Sequence, residues 1–130
     1  MLLIFFSAFS YNNEPTIITI VSSKNIKKAS ELIVDFEGEI VTDTWNKDEY
    51  VRIEMEIKVE EIGIESIRYI KSELRRYLVK KMKVNDESVM LSMPNLKDSI
   101  IINGRILKEE IYYRLLVPKN VTVKKLAEGE

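Results

Sequence analysis

A run of basic side chains is the feature of this sequence that could most directly do chemistry. Five cations stand close together around Tyr77: Arg75, Arg76, Lys80, Lys81 and Lys83. Clustered cations attract anionic partners such as an acidic glycan, a phospholipid head group or a nucleic-acid backbone. The same residues also fit a solvated face at the end of a helix, where the helix dipole favours cations. The patch therefore predicts either an anionic-ligand site or an ordinary surface.

The single tryptophan, Trp45, is the second residue of interest. It stands directly before a polar turn at 46–49. A tryptophan beside a turn usually anchors the end of a core, because its ring buries a large apolar area. An exposed indole next to Tyr50 would instead favour carbohydrate binding. Both interpretations follow from the sequence.

Most catalytic chemistry lacks the residues that it needs here. The chain has no histidine and no cysteine, which removes the commonest general base, Ser–His catalysis, thiolate nucleophiles and imidazole or thiolate metal ligands. No serine stands three residues before a lysine, and the glycines are too scattered for a phosphate-binding loop. We therefore predict that the protein is not an enzyme and that it uses no cofactor and no metal.

Carboxylates are the remaining groups that could act as catalysts or metal ligands. Asp43, Asp48 and Glu49 gather near one turn, but they lack the spacing of a calcium-binding loop. Asp35 lies in a strand pattern, and if both faces of that strand were covered, its carboxylate would be buried and would need a partner. The simpler interpretation is a carboxylate that accepts backbone N–H bonds in the adjacent turn.

Hydrophobic residues at every second position dominate the chain and predict β-strands. The clearest alternation covers 51–59, where Val51, Ile53, Met55 and Ile57 alternate with charged residues. Shorter strands follow the same pattern, separated by turns such as the one at 85–87. Their expected positions are 16–21, 31–36, 39–45, 78–84, 88–93, 100–102, 107–117 and 121–123.

One segment, at about 61–79, departs from this period. Its apolar residues recur every three or four positions, as on one face of a helix: Ile64, Ile67, Ile70, Leu74 and Leu78. Tyr69 and Tyr77 flank the stripe. This spacing predicts one amphipathic α-helix. The predicted fold is mainly β, a short β-solenoid or a sandwich of about eight strands with this helix packed on it.

The first ten residues resemble a secretory leader. Positions 2–9 carry no charge, but they are far fewer than the roughly 20 residues that a membrane-spanning helix needs. Small residues at Ala8 and Ser10 fit a cleavage site before Tyr11. We therefore expect residues 1–10 to be the remnant of a truncated signal peptide, and the protein to be periplasmic or extracellular. The alternative is a buried first strand in a cytoplasmic protein.

Length and composition fit one folded domain. The chain has 130 residues, of which 45% are hydrophobic and 32% charged, and its net charge is −1. A chain of this size buries enough surface to fold without disulfides or metals. We expect a linker at 11–15, a single β-rich domain over 16–126 and a frayed tail at 127–130.

Two stretches resemble a known family. Residues 32–53 form a strand, a short turn, a second strand, a Trp-Asn-Lys turn and a long alternating strand, and residues 117–123 form a Val-Pro-Lys turn that leads into another strand. Both are similar to the toastrack domain of bacterial adhesin-like proteins. The resemblance implies a β-solenoid-like fold in the cell envelope, and it brings no catalytic residues. The family stacks further rungs where this chain ends, so we expect a short version of the domain or an end-cap.

These features predict a non-enzymatic β domain of the cell envelope that acts as an interaction or adhesin-like scaffold module. Its partner would be another protein or a second copy that pairs with an exposed strand edge. An open edge at 107–117 would imply oligomerisation. The alternative function is binding of an acidic glycan or phospholipid head group through the basic patch. Nucleic acid is not expected, and membrane contact would need the basic patch or an uncleaved N-terminus.

Overall fold

The structure, a computed structural model, describes residues 2–7, 16–59, 64–102 and 104–126. The strands are β1 (Leu2–Ser7), β2 (Thr16–Asn25), β3 (Glu31–Asp35), β4 (Glu39–Trp45), β5 (Tyr50–Val59), β6 (Lys80–Lys83), β7 (Ser88–Ser92), β8 (Ile101–Ile102), β9 (Arg105–Ile106), β10 (Glu109–Pro118) and β11 (Thr122–Lys125). One helix, α1 (Ile64–Ser72), precedes a 3-10 turn (Leu74–Tyr77). The predicted mainly β fold with one helix is confirmed. The strands outnumber those expected, partly because β8 and β9 are too short to show an alternation.

The larger sheet, sheet A, has five strands in the order β1-β2-β5-β10-β4. Neighbouring strands from β1 to β10 are antiparallel, whereas β10 and β4 run parallel, from Tyr112 opposite Glu39 to Pro118 opposite Trp45. The strand that the sequence marked as a possible open edge, 107–117, corresponds to β10. It is an interior strand, because β5 and β4 pair with it on either side.

The second sheet, sheet B, has four strands in the order β11-β3-β7-β6. β3 runs parallel to both β11 and β7, and β6 and β7 form the predicted antiparallel hairpin around 84–87. The chain crosses directly from sheet B to sheet A between β3 and β4, and from sheet A to sheet B between β10 and β11. Because both connections are short, the edge strands β4 and β11 lie on the same side of the molecule.

Both sheets contribute to one hydrophobic core, which makes the fold a β-sandwich. Ile18, Ile53 and Leu115 of sheet A and Leu32 and Leu91 of sheet B are fully buried in the same cluster. Of the two architectures expected from the sequence, the sandwich describes this arrangement, and the described residues do not show a stack of solenoid rungs.

Strand β5 follows the predicted alternation along its whole length. From Val51 to Val59 its apolar residues are at most 1% exposed, and the charged residues between them are half-buried or exposed. Because successive side chains of a strand point to opposite faces, this pattern gives sheet A one core face and one solvent face. The apolar residues on the core face are Val51, Ile53, Met55, Ile57 and Val59.

The helix ends earlier than the predicted 61–79, and the first predicted positions, 61–63, lie outside the described residues. α1 ends at Ser72, and the next residues form a 3-10 turn, which has about 3.0 residues per turn instead of about 3.6. The tighter winding rotates the later residues away from the predicted face. Tyr77, expected beside the stripe, is therefore only 2% exposed, while Leu78, expected on the stripe, is 48% exposed. Ile70 is fully buried, so the helix packs on the core as predicted.

The connection between β3 and β4 brings the two sheets together closely. Phe36 stacks on Tyr113 of β10, with ring centroids 4.6 Å apart. Gly38 follows at φ +113°, and a Cβ atom at this position would lie 2.8 Å from the carbonyl oxygen of Ile111. A side chain at residue 38 would therefore be both strained and in collision with the backbone of β10.

The N-terminal segment pairs with the sheet. β1 runs antiparallel to β2, from Leu2 opposite Ser22 to Ser7 opposite Ile17. Export and cleavage of residues 1–10 stay predictions, and the expected linker at 11–15 and tail at 127–130 lie outside the described residues. In the part of the chain that is described, no helix has the length and apolarity to cross a membrane.

Candidate functional site

The predicted basic patch does not form one surface. In the register of β6 and β7, Lys81 lies opposite Leu91 and Lys83 opposite Val89, and both partners are buried. These two lysines therefore stand on the core side of sheet B, at its edge. Lys80 points to the opposite face, because side chains alternate along a strand.

Arg76 is held by the fold. Its guanidinium pairs with the Glu109 carboxylate, and its Nε donates a hydrogen bond to the carbonyl oxygen of Asp98. The Tyr77 hydroxyl donates to the other Glu109 oxygen over 2.7 Å. The side chains of Arg76 and Glu109 are only 13% and 9% exposed. Burial raises the pKa of Tyr77 well above its ordinary value, and the neighbouring Glu109 carboxylate raises it further.

Arg75 lies on a different surface from the patch lysines. It lines a cavity of about 450 Å³ together with Tyr69, Glu73, Asp98 and the adjacent Arg76. Glu73 and Asp98 place two acidic residues beside Arg75 in this lining, whereas Arg76 is paired with Glu109. The five predicted residues are thus divided among this cavity, the outer face of β6 and the core-side edge of β6.

Lys81 and Lys83 share a cleft with two lysines that were not among the predicted site residues. Lys27 and Lys28, in the turn between β2 and β3, line the same cavity, which measures about 580 Å³. We call this cavity the lysine cleft. Its volume falls within the range of small-molecule sites, about 300–1,000 Å³. The remaining lining residues are Asn25, Ile26, Ala29, Glu49, Asn85, Asp86 and Val89.

The turn that carries Lys27 and Lys28 is fixed from both sides. Ile26 is 2% exposed, and its N–H donates to the carbonyl oxygen of Glu49 over 2.7 Å. Asn25 Oδ1 accepts the N–H of Lys27 over 2.7 Å, and Lys27 has a φ of +53°, in the left-handed region. The buried isoleucine anchors the turn, while both lysines are exposed at its surface.

The hairpin on the other side of the cleft is tied to this turn. Lys81 Nζ donates to the carbonyl oxygen of Asn25 over 2.7 Å, and Lys83 pairs with Asp86 over 3.3 Å. Glu49 and Asp86 are the acids in the lining, against four lysines. The cleft therefore carries an excess of positive charge although the whole chain has a net charge of −1.

Trp45 is half-buried at the end of β4. Its indole Nε1 donates to the carbonyl oxygen of Tyr50 over 3.0 Å, which closes the turn between β4 and β5. The ring therefore joins the ends of these strands, as expected of an anchoring tryptophan.

The acids singled out in the sequence are not drawn together into a buried site. Asp35, Asp43, Asp48 and Glu49 are all exposed, so the burial that would have required a partner for Asp35 does not occur. Asp43 pairs instead with Arg114 of β10 over 3.0 Å. Within the described residues, no group of three or more carboxylates is arranged to hold a metal ion.

Strand β4 is an open edge of sheet A. One side of it pairs with β10, and no described strand pairs with the other side. Both of its faces are poorly covered: Val41 is 50% exposed, Ile40 and Trp45 are half-buried, and the other residues are exposed. Such a strand presents unpaired N–H and C=O groups to any strand that approaches it. We call the unpaired side of Glu39–Trp45 the β4 edge.

The edges of sheet B carry features that oppose strand pairing. Three of the four residues of β6 are lysines, two of them on the core side. β11 is four residues long and ends in Lys124 and Lys125. Lysines and inward-facing charges protect an edge because an added strand would bury them. β4 is seven residues long and contains neither lysine nor proline.

Neither the lysine cleft nor the β4 edge could be predicted from the sequence, and the reason is the same for both. Each is created by contacts between distant segments, residues 25–29 with 81–86 in one case and β10 with β4 in the other. The local signal that was available is the pair Lys27-Lys28 after Asn25 in a turn.

Comparison with known proteins finds no counterpart. No protein-family model matches the chain, and no curated protein or solved structure matches it significantly. The resemblance to the toastrack domain therefore rests on the sequence motifs alone.

Proposed function

We propose that the chain is a non-enzymatic interaction module of the cell envelope that joins sheets edge to edge, with a second copy of itself paired at the β4 edge. One observation carries this proposal: among the described strands none pairs with the outer side of β4, and most of its residues are exposed, whereas the edges of sheet B are guarded by lysines. An unguarded edge strand of this length is a template for strand addition.

The sequence of β4 is self-complementary in one antiparallel register. If Thr42 lies opposite Thr42 of the second copy, Val41 faces Asp43 and Glu39 faces Trp45. Sliding one copy by two residues, so that Val41 lies opposite Val41, would place Glu39 opposite Asp43. Like charges directly opposite each other destabilise a strand pair, so the register centred on Thr42 is favoured.

The charge of Asp43 is already compensated within the chain. Arg114 of β10 donates hydrogen bonds to Asp43 over 3.0 Å and to Glu54 over 3.2 Å. These hydrogen bonds raise the pKa of the Arg114 guanidinium above its ordinary value. Two copies of Asp43 near a shared edge would therefore repel each other less than two isolated carboxylates would.

Location in the envelope is the part of the proposal that rests on the N-terminal sequence. Cleavage before Tyr11 would remove β1 and make β2 the edge of sheet A in place of β1. The intact mass of the protein recovered from its native cells tests this directly. An intact mass that matches a chain beginning at Tyr11 supports export. Recovery of the full-length protein from the cytoplasm contradicts it.

Sedimentation velocity of the full chain over a wide concentration range tests the interaction at β4. We expect a concentration-dependent dimer that Thr42→Lys shifts to monomer, because the two new positive charges would lie directly opposite each other in the paired strands. Met82→Lys is the matched control, since Met82 is 48% exposed on the guarded strand β6. A wild-type chain that stays monomeric contradicts the proposal. A dimer that survives Thr42→Lys also contradicts it, and would point to β1, whose sequence carries no charge.

A further inference from the structure

We propose that the lysine cleft binds a compact anion with several phosphoryl groups, either a free polyphosphorylated small molecule or a phospholipid head group. This site is separate from the β4 edge, and it does not depend on self-association. Its elements are the turn that carries Lys27 and Lys28 and the strand that carries Lys81 and Lys83.

Protection of a sheet edge explains the position of only two of the four lysines in the cleft. Lys81 and Lys83 belong to the edge strand β6, where lysines oppose the addition of another strand. Lys27 and Lys28 belong to a turn and have no sheet edge to protect. Within the described residues neither ammonium group forms an ion pair, so the fold itself does not explain their position beside two further lysines.

Bringing four cations to one cavity is unfavourable without an anion. Their mutual repulsion is only partly offset by the two acids in the lining, Glu49 and Asp86. Asp86 is 98% exposed and pairs with Lys83 on the solvent side, so an incoming anion can replace it at modest cost. A ligand with several negative charges would relieve the repulsion that the chain alone leaves in place.

The cations of the cleft are compatible with a phosphoryl ligand. Arginine binds both carboxylate and phosphate through planar two-point contacts, and lysine binds phosphate as a flexible point charge. Among the described lining residues, every cation is a lysine. Lysines that approach from two separate elements suit a ligand whose charge is spread over several tetrahedral groups.

Two asparagines add hydrogen-bond donors to the lining. Asn25 Oδ1 accepts the N–H of Lys27, and Asn85 Oδ1 accepts the N–H of Glu87 over 2.8 Å. These backbone contacts occupy the acceptor end of each amide and leave its NH₂ group to meet a ligand. Both asparagines line the cleft, so their donors add to the preference for an anion.

Isothermal titration of the full chain with inorganic tripolyphosphate at low salt tests the proposal. We expect saturable binding that weakens as salt is raised, because screening reduces the attraction. The double variant Lys27→Asn with Lys28→Gln removes two charges that form no ion pair with any described residue. Asparagine tolerates the left-handed conformation at residue 27. Its affinity should fall at least about tenfold.

The matched control removes two exposed lysines that do not line the cleft, through Lys58→Gln with Lys97→Gln. Lys58 lies opposite Ile17, at the other end of β2 from Asn25. At about 0.1 M salt its affinity should stay within about twofold of the wild type, because the Debye length is then about 10 Å and more distant charges are largely screened. Vesicles of phosphatidylcholine with or without cardiolipin separate the two sources of ligand. Sedimentation with cardiolipin vesicles that tripolyphosphate reverses identifies a lipid head group, and binding of tripolyphosphate alone identifies a soluble ligand.

Three outcomes would overturn the site. One is that neither tripolyphosphate nor cardiolipin vesicles bind the wild-type chain. Another is that the control pair loses as much affinity as the cleft pair, which would mean general surface electrostatics. The third is that the chain binds sulfated polysaccharide with unchanged affinity after the cleft substitutions while tripolyphosphate gives no signal.

Discussion

The hydroxyl of Tyr77 donates a 2.7 Å hydrogen bond to Glu109, across 32 residues of sequence. This bond links the 3-10 turn after α1 to the first residue of β10. The same carboxylate pairs with Arg76, and both ionic side chains are nearly buried. The helical segment is therefore attached to the interior strand of sheet A by a polar contact as well as by the burial of Ile70 and Tyr77.

Glu109→Gln should destabilise the fold strongly. It leaves the buried guanidinium of Arg76 without a counter-charge, and breaking a buried pair in this way costs about 3 kcal/mol. Tyr77→Phe removes one hydrogen bond and should cost about 1 kcal/mol. Urea unfolding measures both changes. Asp43→Asn, in an exposed pair, is the control, and equal losses in Glu109→Gln and Asp43→Asn would contradict the assignment.

Stability should decline at alkaline pH. Burial raises the pKa of Tyr77 and of Tyr113 above the ordinary value of 10.0. The unfolded chain then releases these phenol protons at a lower pH than the folded chain does. The stabilisation is therefore complete below about pH 10 and is lost as pH rises further.

Unfolding free energies measured at several pH values above 8 test this decline. Tyr77→Phe should make the pH dependence shallower, because phenylalanine has no proton to release, and the remaining dependence should come from Tyr113. Tyr69→Phe, at a position 39% exposed, should leave it unchanged. The interpretation is wrong if both variants lose stability with pH as steeply as the wild type.

Substitutions at two glycines distinguish the cost of backbone strain from the cost of a steric collision. Gly38→Ala forces a side chain into a φ of +113° and places its Cβ 2.8 Å from the Ile111 carbonyl oxygen. Gly104 has a φ of +77°, and no described residue beyond its chain neighbours would lie within 4 Å of a Cβ added there. Strain alone costs about 1 kcal/mol, so Gly104→Ala should lose about that much. Gly38→Ala should lose at least about 2 kcal/mol more, because β10 would have to move. Thermal unfolding of both variants measures these losses of stability. Equal losses in the two variants would show that the connection between β3 and β4 can relax.

The sequence predicted the elements well because their signals are local. The alternation over β5 and the turn at 85–87 need no knowledge of distant residues, and both are confirmed. The end of the helix was wrong because the 3-10 turn depends on the contacts of Arg76 and Tyr77 with Glu109, far along the chain.

The candidate sites were less predictable than the fold, because both depend on pairing between distant segments. β10 looked like a possible open edge until its parallel pairing with β4 moved that edge to β4. The predicted basic patch grouped residues that are adjacent in sequence. In the fold, strand alternation places Lys80 and Lys81 on opposite faces of sheet B. Arg76 is removed from the patch because it pairs with Glu109. Lys27 and Lys28 join Lys81 and Lys83 only because the β2–β3 turn meets the β6–β7 hairpin.

Oxidative cross-linking tests the pairing of two copies at the β4 edge most directly. The chain has no cysteine, so Thr42→Cys introduces a single thiol at the centre of the expected antiparallel register. Directly opposite residues of paired strands are close enough to form a disulfide. We expect Thr42→Cys to give a covalent dimer under mild oxidation, and Met82→Cys on the guarded strand to remain monomeric. Equal cross-linking of the two variants, or none with Thr42→Cys, would contradict pairing at β4.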